Sequence, residues 1–201
     1  IKDQLEQITA SLGTNTTLVA VSKTHPIERI KEAYEAGQRD FGENKVQDLV
    51  EKYEALPKDI RWHMIGHLQS NKVKYIAPFV HLIHGVDSFK LLQEINKQGL
   101  KNGRRISCLL QFHIAQEDTK FGLSLEEATA FITGPEFSLL DHVRICGVMG
   151  MATFTENTAQ IRSEFQSLHR IFHALKSTHF SSTTEFKEIS MGMSDDYPIA
   201  I

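Results

Sequence analysis

Two places in the chain carry side chains whose type and position suit chemistry. Lys23 follows the apolar run Leu18-Val19-Ala20-Val21-Ser22. Alternate side chains of a strand face opposite ways, and the last residue of a buried strand opens into whatever site the strand ends form. A lysine there loses hydration, which lowers an ammonium pKa and supplies the free amine that attacks an aldehyde to make a Schiff base. The plainer reading is a strand-end lysine whose head swings into solvent. The second place is Gly192-Met193-Ser194-Asp195-Asp196. Glycine lets the backbone approach closely, Ser194 reads as an N-cap, and the helix start behind it aims free N–H groups and a positive dipole end at one spot. That suits a phosphate. A well-capped helix, with Asp195 and Asp196 set against its dipole, explains the same residues.

The elements that must position these groups alternate between strand and helix patterns. Leu5, Ile8 and Leu12 lie at helical spacing. Strands are predicted over 17–22, 39–41, 60–65, 81–86, 106–114, 143–149 and 186–191. Pro26 opens a helix that Gly37 ends. Further helices are predicted over 45–55, 71–76, 125–132 and 158–175, with one after the cap Asp87 or Ser88 whose stripe is Phe89, Leu92 and Ile95. A last one starts at Ser194-Asp195-Asp196. Seven strands alternating with helices imply parallel βαβ units. An open doubly wound sheet and a (β/α)8 barrel of the TIM type compete. The absent GxGxxG fingerprint weakens the first. The α/β reading preferred here is one barrel domain over residues 1–201, with the eighth strand and last helix beyond Ile201. A first residue that is not methionine suggests a start inside a longer chain.

In a barrel the chemistry sits at the C-terminal strand ends. These deliver Lys23, then Asn44, Ile65 and Gly66, His84 to Asp87, Gln111 to Ile114, Met149 to Ala152, and Ser190 with Met193 and Ser194. Such a rim, rich in Gly, Met, Asn and Ser, suits a planar, partly apolar ligand better than a metal or hydrolysis. Met149, Met151, Met191 and Met193 read as packing for the mouth.

Composition narrows the classes. The chain has 201 residues, 41% hydrophobic and 23% charged, with a net charge of −3, which is ordinary for a globular protein. No basic run points to nucleic acid and no apolar stretch to a membrane span. No secretory signal is visible. Cys108 and Cys146 lie in apolar runs and read as buried thiols of a cytoplasmic protein. His63 and His67 straddle a strand end, and His169 and His173 share a helix face without a third ligand, so no metal is expected. Glu117-Asp118 and Asp195-Asp196 read as solvated pairs. The polar segment 115–124 reads as a flap or a long loop.

An aldehyde anchor and a phosphate anchor on one rim together suggest pyridoxal 5′-phosphate (PLP). The segments Leu18-Val19-Ala20-Val21-Ser22-Lys23-Thr24, Phe41-Gly42-Glu43-Asn44, Trp62-His63-Met64-Ile65-Gly66-His67-Leu68-Gln69-Ser70-Asn71-Lys72 and Gly192-Met193-Ser194-Asp195-Asp196 closely resemble the pyridoxal phosphate homeostasis protein family. Its members look like the N-terminal barrel of alanine racemase without the second domain. The resemblance implies that Lys23 holds PLP as an internal aldimine and that Ser194, with the backbone around Met193, binds its phosphate. It places Asn44, Ile65 and Gly66 near the ring, and Ser190 is grouped with these cofactor-binding positions. The family's late Arg-x-Gly-x-x-Ile-Phe-Gly strand would follow Ile201, and His67 stands where many relatives carry proline. The implied function is intracellular PLP homeostasis without clear turnover: a monomer that releases PLP by transaldimination, with PLP-dependent apo-enzymes as receivers. An amino-acid racemase-type enzyme and a Schiff-base aldolase acting on a phosphorylated sugar are the alternatives.

Overall fold

Seven short strands run parallel in the order in which the chain makes them: β1 (Ala20–Val21), β2 (Asp40–Glu43), β3 (Arg61–Met64), β4 (Leu82–Val86), β5 (Ile106–Gln111), β6 (Val143–Met149) and β7 (Glu188–Ser190). The computed structural model describes residues 1–116 and 121–201. Each strand pairs with the one before it. A doubly wound sheet would reverse its strand order at a switch point. This one does not, so the sheet winds in one direction, as in the barrel class. β1 and β7 are its edges.

The strand edges explain where observed and expected bounds differ. The predicted first strand covers 17–22, but only Ala20 and Val21 pair with β2. With a single neighbour, β1 has half the ladder, and the Gln38 side chain instead donates to the Leu18 carbonyl at 2.8 Å. β7 is likewise shorter than predicted and pairs only with β6.

The helices are α1 (Lys2–Ser11), α2 (Ile27–Glu35), α3 (Val46–Ala55), α4 (Val73–Ile76), α5 (Phe89–Lys101), α6 (Leu125–Ile132), α7 (Thr158–Thr178) and α8 (Tyr197–Ala200). α2 ends as its glycine foretells: Gly37 sits at φ +103, its N–H donates to Tyr34, and that of Gln38 to Ala33. Ser88, not Asp87, caps α5. No helix among the described residues is long and apolar enough to cross a membrane.

Register assigns the two sheet faces. Phe41 pairs with Trp62 and Glu43 with Met64, whereas Asp40 pairs with Arg61 and Gly42 with His63. The first set turns toward the helices: Phe41, Trp62, Met64 and, from α3, Leu49 are all at most 1% exposed. Burial of each such side chain contributes roughly 1.5–3 kcal/mol. α7 lays Leu168, Phe172 and Leu175 on the same core, and Phe186 stacks on Phe172 and Phe180 just before β7. The other set faces the concave side, and its members are polar or small.

Candidate functional site

Lys23 stands two residues beyond β1, in a turn closed by the His25 N–H donating to the Ser22 carbonyl at 3.1 Å. Thr24 adopts φ +66 there, in the left-handed region that β-branched residues avoid. Lys23 itself is exposed. The expected withdrawal of its amine from water is therefore not met among the described residues. The residue just before it is firmly held. Ser22 is buried, and its hydroxyl donates to Glu43 Oε1 at 2.5 Å. Lys52 of α3 reaches in to donate to the same oxygen at 2.6 Å and to the Ser22 carbonyl at 2.8 Å. Glu43 and Lys52 are a buried ion pair behind the turn that presents Lys23, and nothing in the spacing of the sequence announced it.

Asn44 follows β2, and Ile65 and Gly66 follow β3. The structure brings these three together. The Ile65 N–H donates to the Glu43 carbonyl at 2.9 Å. A Cβ at Gly66 would lie 2.3 Å from the Asn44 carbonyl oxygen, so only glycine lets the two strand ends meet this closely. Ile65 lies over the bare position at Gly42.

After β7 the chain turns at Gly192, φ +86. The turn is tied by Asp196, not Ser194. The Asp196 carboxylate accepts the Met193 N–H at 2.5 Å, and the Met193 carbonyl accepts the N–H groups of Asp196 and Tyr197. Asp196 is 5% exposed and occupies the N-cap position of α8. The expectation that Ser194 caps this helix is thus corrected, as is the reading of Asp195-Asp196 as two solvated residues. Only Asp195 is exposed. Met193 is 46% exposed and does not pack the mouth as predicted, since the turn lifts it off the sheet. Among the described residues the amides of Ser194 and Asp195 donate to no partner, and both residues are exposed. The loop therefore presents two free donors, although the Met193 amide is engaged.

Ser190, at the end of β7, points inward. Its hydroxyl lies 2.7 Å from His84 Nδ1. His84 Nε2 lies 2.9 Å from His63 Nδ1, and His63 Nε2 lies 3.0 Å from Asp40 Oδ1. Arg61 grips that carboxylate with two bonds, at 2.7 and 2.5 Å. One file of polar side chains thus crosses the concave face, from the strand end that carries Ser190 to the strand start that carries Asp40. Burial on its own would raise the Asp40 pKa, but the hydrogen bonds and charges of His63 and Arg61 outweigh it and hold the carboxyl well below the usual range. Burial, helped by neighbouring His63 and His81, pushes His84 down to about 3. Asp40, His63 and His81 place ligand atoms within 4.8 Å of one another, yet Arg61 already fills the carboxylate with a cation. The signal for this file was a polar residue at the inward position of each of four strands, legible only once register was known.

The remaining candidates separate. His67 meets Asp87 at 3.3 Å and stacks on Phe121 at 4.4 Å. Leu123 bridges to Phe112 beside β5, while Glu117-Asp118 lies outside the described residues. His169 and His173 touch each other, 3.1 Å apart, on the outside of α7. Cys108 and Cys146 are buried free thiols, and burial pushes both pKa values up.

Comparison with known proteins fits this geometry. The family model described as alanine racemase, N-terminal domain, matches residues 1–198. The pyridoxal phosphate homeostasis protein of Aquifex aeolicus is 37% identical over 186 residues, which span 92% of this chain and 79% of that protein. The chain belongs to the pyridoxal phosphate homeostasis protein family. PipY of Synechococcus elongatus PCC7942, solved without PLP, superposes with a TM-score of 0.92 at 34% identity, covering 100% of this chain and 92% of that one. PipY solved with PLP bound gives 0.87 at 33% identity, covering 99% and 92%. Alanine racemase from Bacillus anthracis, at 13% identity and a TM-score of 0.73 over 96% of this chain and 49% of its own, shares the fold alone.

Proposed function

We propose that this protein holds PLP on Lys23 and yields it to an acceptor amine, serving intracellular PLP homeostasis as a monomer without turnover of its own. The observation that carries the reading is the joint placement, at the C-terminal ends of one singly wound sheet, of a solvent-accessible primary amine and a loop with two unengaged amides. Family membership and PLP in the PipY structure support it.

The residues fit the cofactor. The amides of Ser194 and Asp195, with the Ser194 and Ser190 hydroxyls, offer donors to a phosphate. Asn44, Ile65 and Gly66 pack closely where β2 and β3 end, a floor on which a ring would lie. When bound, PLP supplies an aldehyde that condenses with a primary amine. The exposure of Lys23, which undercuts an amine tuned by burial, suits exchange: an incoming amine reaches the same carbon from solvent. A strand from beyond residue 201, laid between β7 and β1, would close the barrel and supply further phosphate contacts. Apo-enzymes that take up PLP through a lysine are the natural receivers, and the buried, unpaired cysteines suit the cytoplasm.

The test is borohydride reduction of the PLP-loaded protein followed by peptide mass spectrometry. Pyridoxyl mass is expected on Lys23, with loss of the visible band in Lys23→Ala. Label on another lysine, or an unchanged band in Lys23→Ala, overturns the reading.

A further inference from the structure

His169 and His173 stand one turn apart on α7, the spacing at which helix side chains meet. Both are exposed. Their Nε2 atoms lie 3.1 Å apart, and the ring planes cross at 63° with centroids 4.3 Å apart. The His173 ring is braced edge-on, at 87°, against Phe172. Phe172 is itself buried and stacked on Phe186. The core therefore steadies one jaw of the pair, and the helix sets the distance to the other.

Two ring nitrogens this close share at most one hydrogen, donated by one Nε2–H to the lone pair of the other. A cation in its place satisfies both lone pairs. The donating ring then moves its hydrogen from Nε2 to Nδ1, so two neutral imidazoles remain and no net proton is released. At the usual metal–nitrogen length of about 2.0–2.1 Å, nitrogens 3.1 Å apart subtend about 95–100° at the ion. That is near the cis angle of a tetragonal or octahedral site and tighter than the tetrahedral angle of structural zinc. Among the described residues no third histidine, cysteine or carboxylate joins the pair within 4.8 Å. A closed structural zinc site, which takes four ligands, is thus excluded as expected from the spacing, but a two-nitrogen chelate asks for no third side chain. Calcium and magnesium take oxygen ligands, which the pair does not offer.

We propose that His169 and His173 form a bidentate site for a divalent transition ion, Cu²⁺ or Ni²⁺, with water in the remaining positions. Imidazole nitrogen suits both ions, and copper binds the more tightly of the two. The ion links two successive turns of α7 from the outside, while Leu168, Phe172 and Leu175 hold the same stretch to the core from the inside. Only the folded helix sets the two nitrogens at chelating distance, so the ion favours the folded state and raises its stability. Lys176, the nearest cation C-terminal to the pair on α7, is drawn away by the Thr183 carbonyl that accepts from its Nζ, which leaves less charge to oppose the metal. The site is independent of Lys23 and of any cofactor at the strand ends.

The experiment titrates the full chain, free of PLP, with Ni²⁺ in a calorimeter and with substoichiometric Cu²⁺ in amide ¹H–¹⁵N spectra. Paramagnetic broadening is expected to centre on residues 169–173. A second ligand pre-placed on the same chain strengthens binding by about a hundredfold or more, so His169→Asn and His173→Asn should each weaken Ni²⁺ by about that factor. Both positions are exposed, so both variants should fold as the wild type does. The urea midpoint of the wild type should rise in Ni²⁺, and that of either variant should not. His179→Asn, at the end of the same helix, should bind Ni²⁺ as the wild type does. Broadening centred elsewhere, unchanged affinity in His173→Asn, or an equal loss in His179→Asn overturns the proposal. So does a complex that forms only as a metal-bridged dimer in sedimentation, since the site is then not complete within one chain.

Discussion

Replacing Lys52 by methionine probes the support beneath Lys23. The Lys52 ammonium bonds Glu43 at 2.6 Å and the Ser22 carbonyl at 2.8 Å, and the Glu43 side chain is 0% exposed. An exposed ion pair would contribute at most about 1 kcal/mol. Here removal of one partner strands a carboxylate in the interior with, among the described residues, only the Ser22 hydroxyl for a donor, and such breaks cost roughly 3–5 kcal/mol. Set against a total of about 5–15 kcal/mol for a domain, that is a large share. Urea unfolding followed by circular dichroism should show a midpoint shifted strongly down with an unchanged slope. The double variant Lys52→Met, Glu43→Gln removes the stranded charge and should recover most of the loss. PLP affinity should drop in the single variant, since the Ser22 carbonyl that anchors the Lys23 turn is released. A single-variant loss below about 1 kcal/mol, or a double variant no better than the single, would refute the assignment of a buried, mutually dependent pair.

Other expectations follow from the same geometry. His84, lowered to about 3 in the folded state, must stay neutral for the protein to fold. Its contribution is complete above the ordinary histidine pKa of about 6.5 and is lost as pH falls toward 3. Stability should decline by about 2 kcal/mol between pH 8 and pH 5, and the same curve in His84→Asn should be flatter by that amount. Asp40, held low, adds a loss of the same sign only below about pH 4. Gly66→Ala sets a Cβ 2.3 Å from the Asn44 carbonyl and should weaken PLP binding at least about tenfold while costing on the order of 1–3 kcal/mol. Equal affinity would place Asn44 and Gly66 outside the site. Asp196→Ala frees the Met193 amide and should loosen the loop, seen as faster amide exchange at residues 193–197. Incubation with L-alanine in deuterated water should give no sustained exchange at the α-carbon.

Much of this was legible in the chain itself. Seven parallel strands, the capped α5, the glycine-ended α2 and the inward stripe of α7 depend on local spacing and turn chemistry, which act over a few residues. The four motifs that carry the family resemblance are local as well, so Lys23, Asn44, Gly66 and Ser194 could be named from them. Tertiary structure decided what depends on partners. Lys23 is exposed in its turn, and Ser22 beside it is buried, a contrast that no residue near Lys23 reveals. Asp196 rather than Ser194 ties the last turn because only the folded loop brings its carboxylate back to the Met193 amide. The Glu43–Lys52 pair and the file from Ser190 to Asp40 join residues up to 106 positions apart. Strand register alone puts those polar groups on a shared face. A sequence records which groups can donate or accept, but hydrogen bonding falls away within an ångström, and only the packed sheet sets distances that finely.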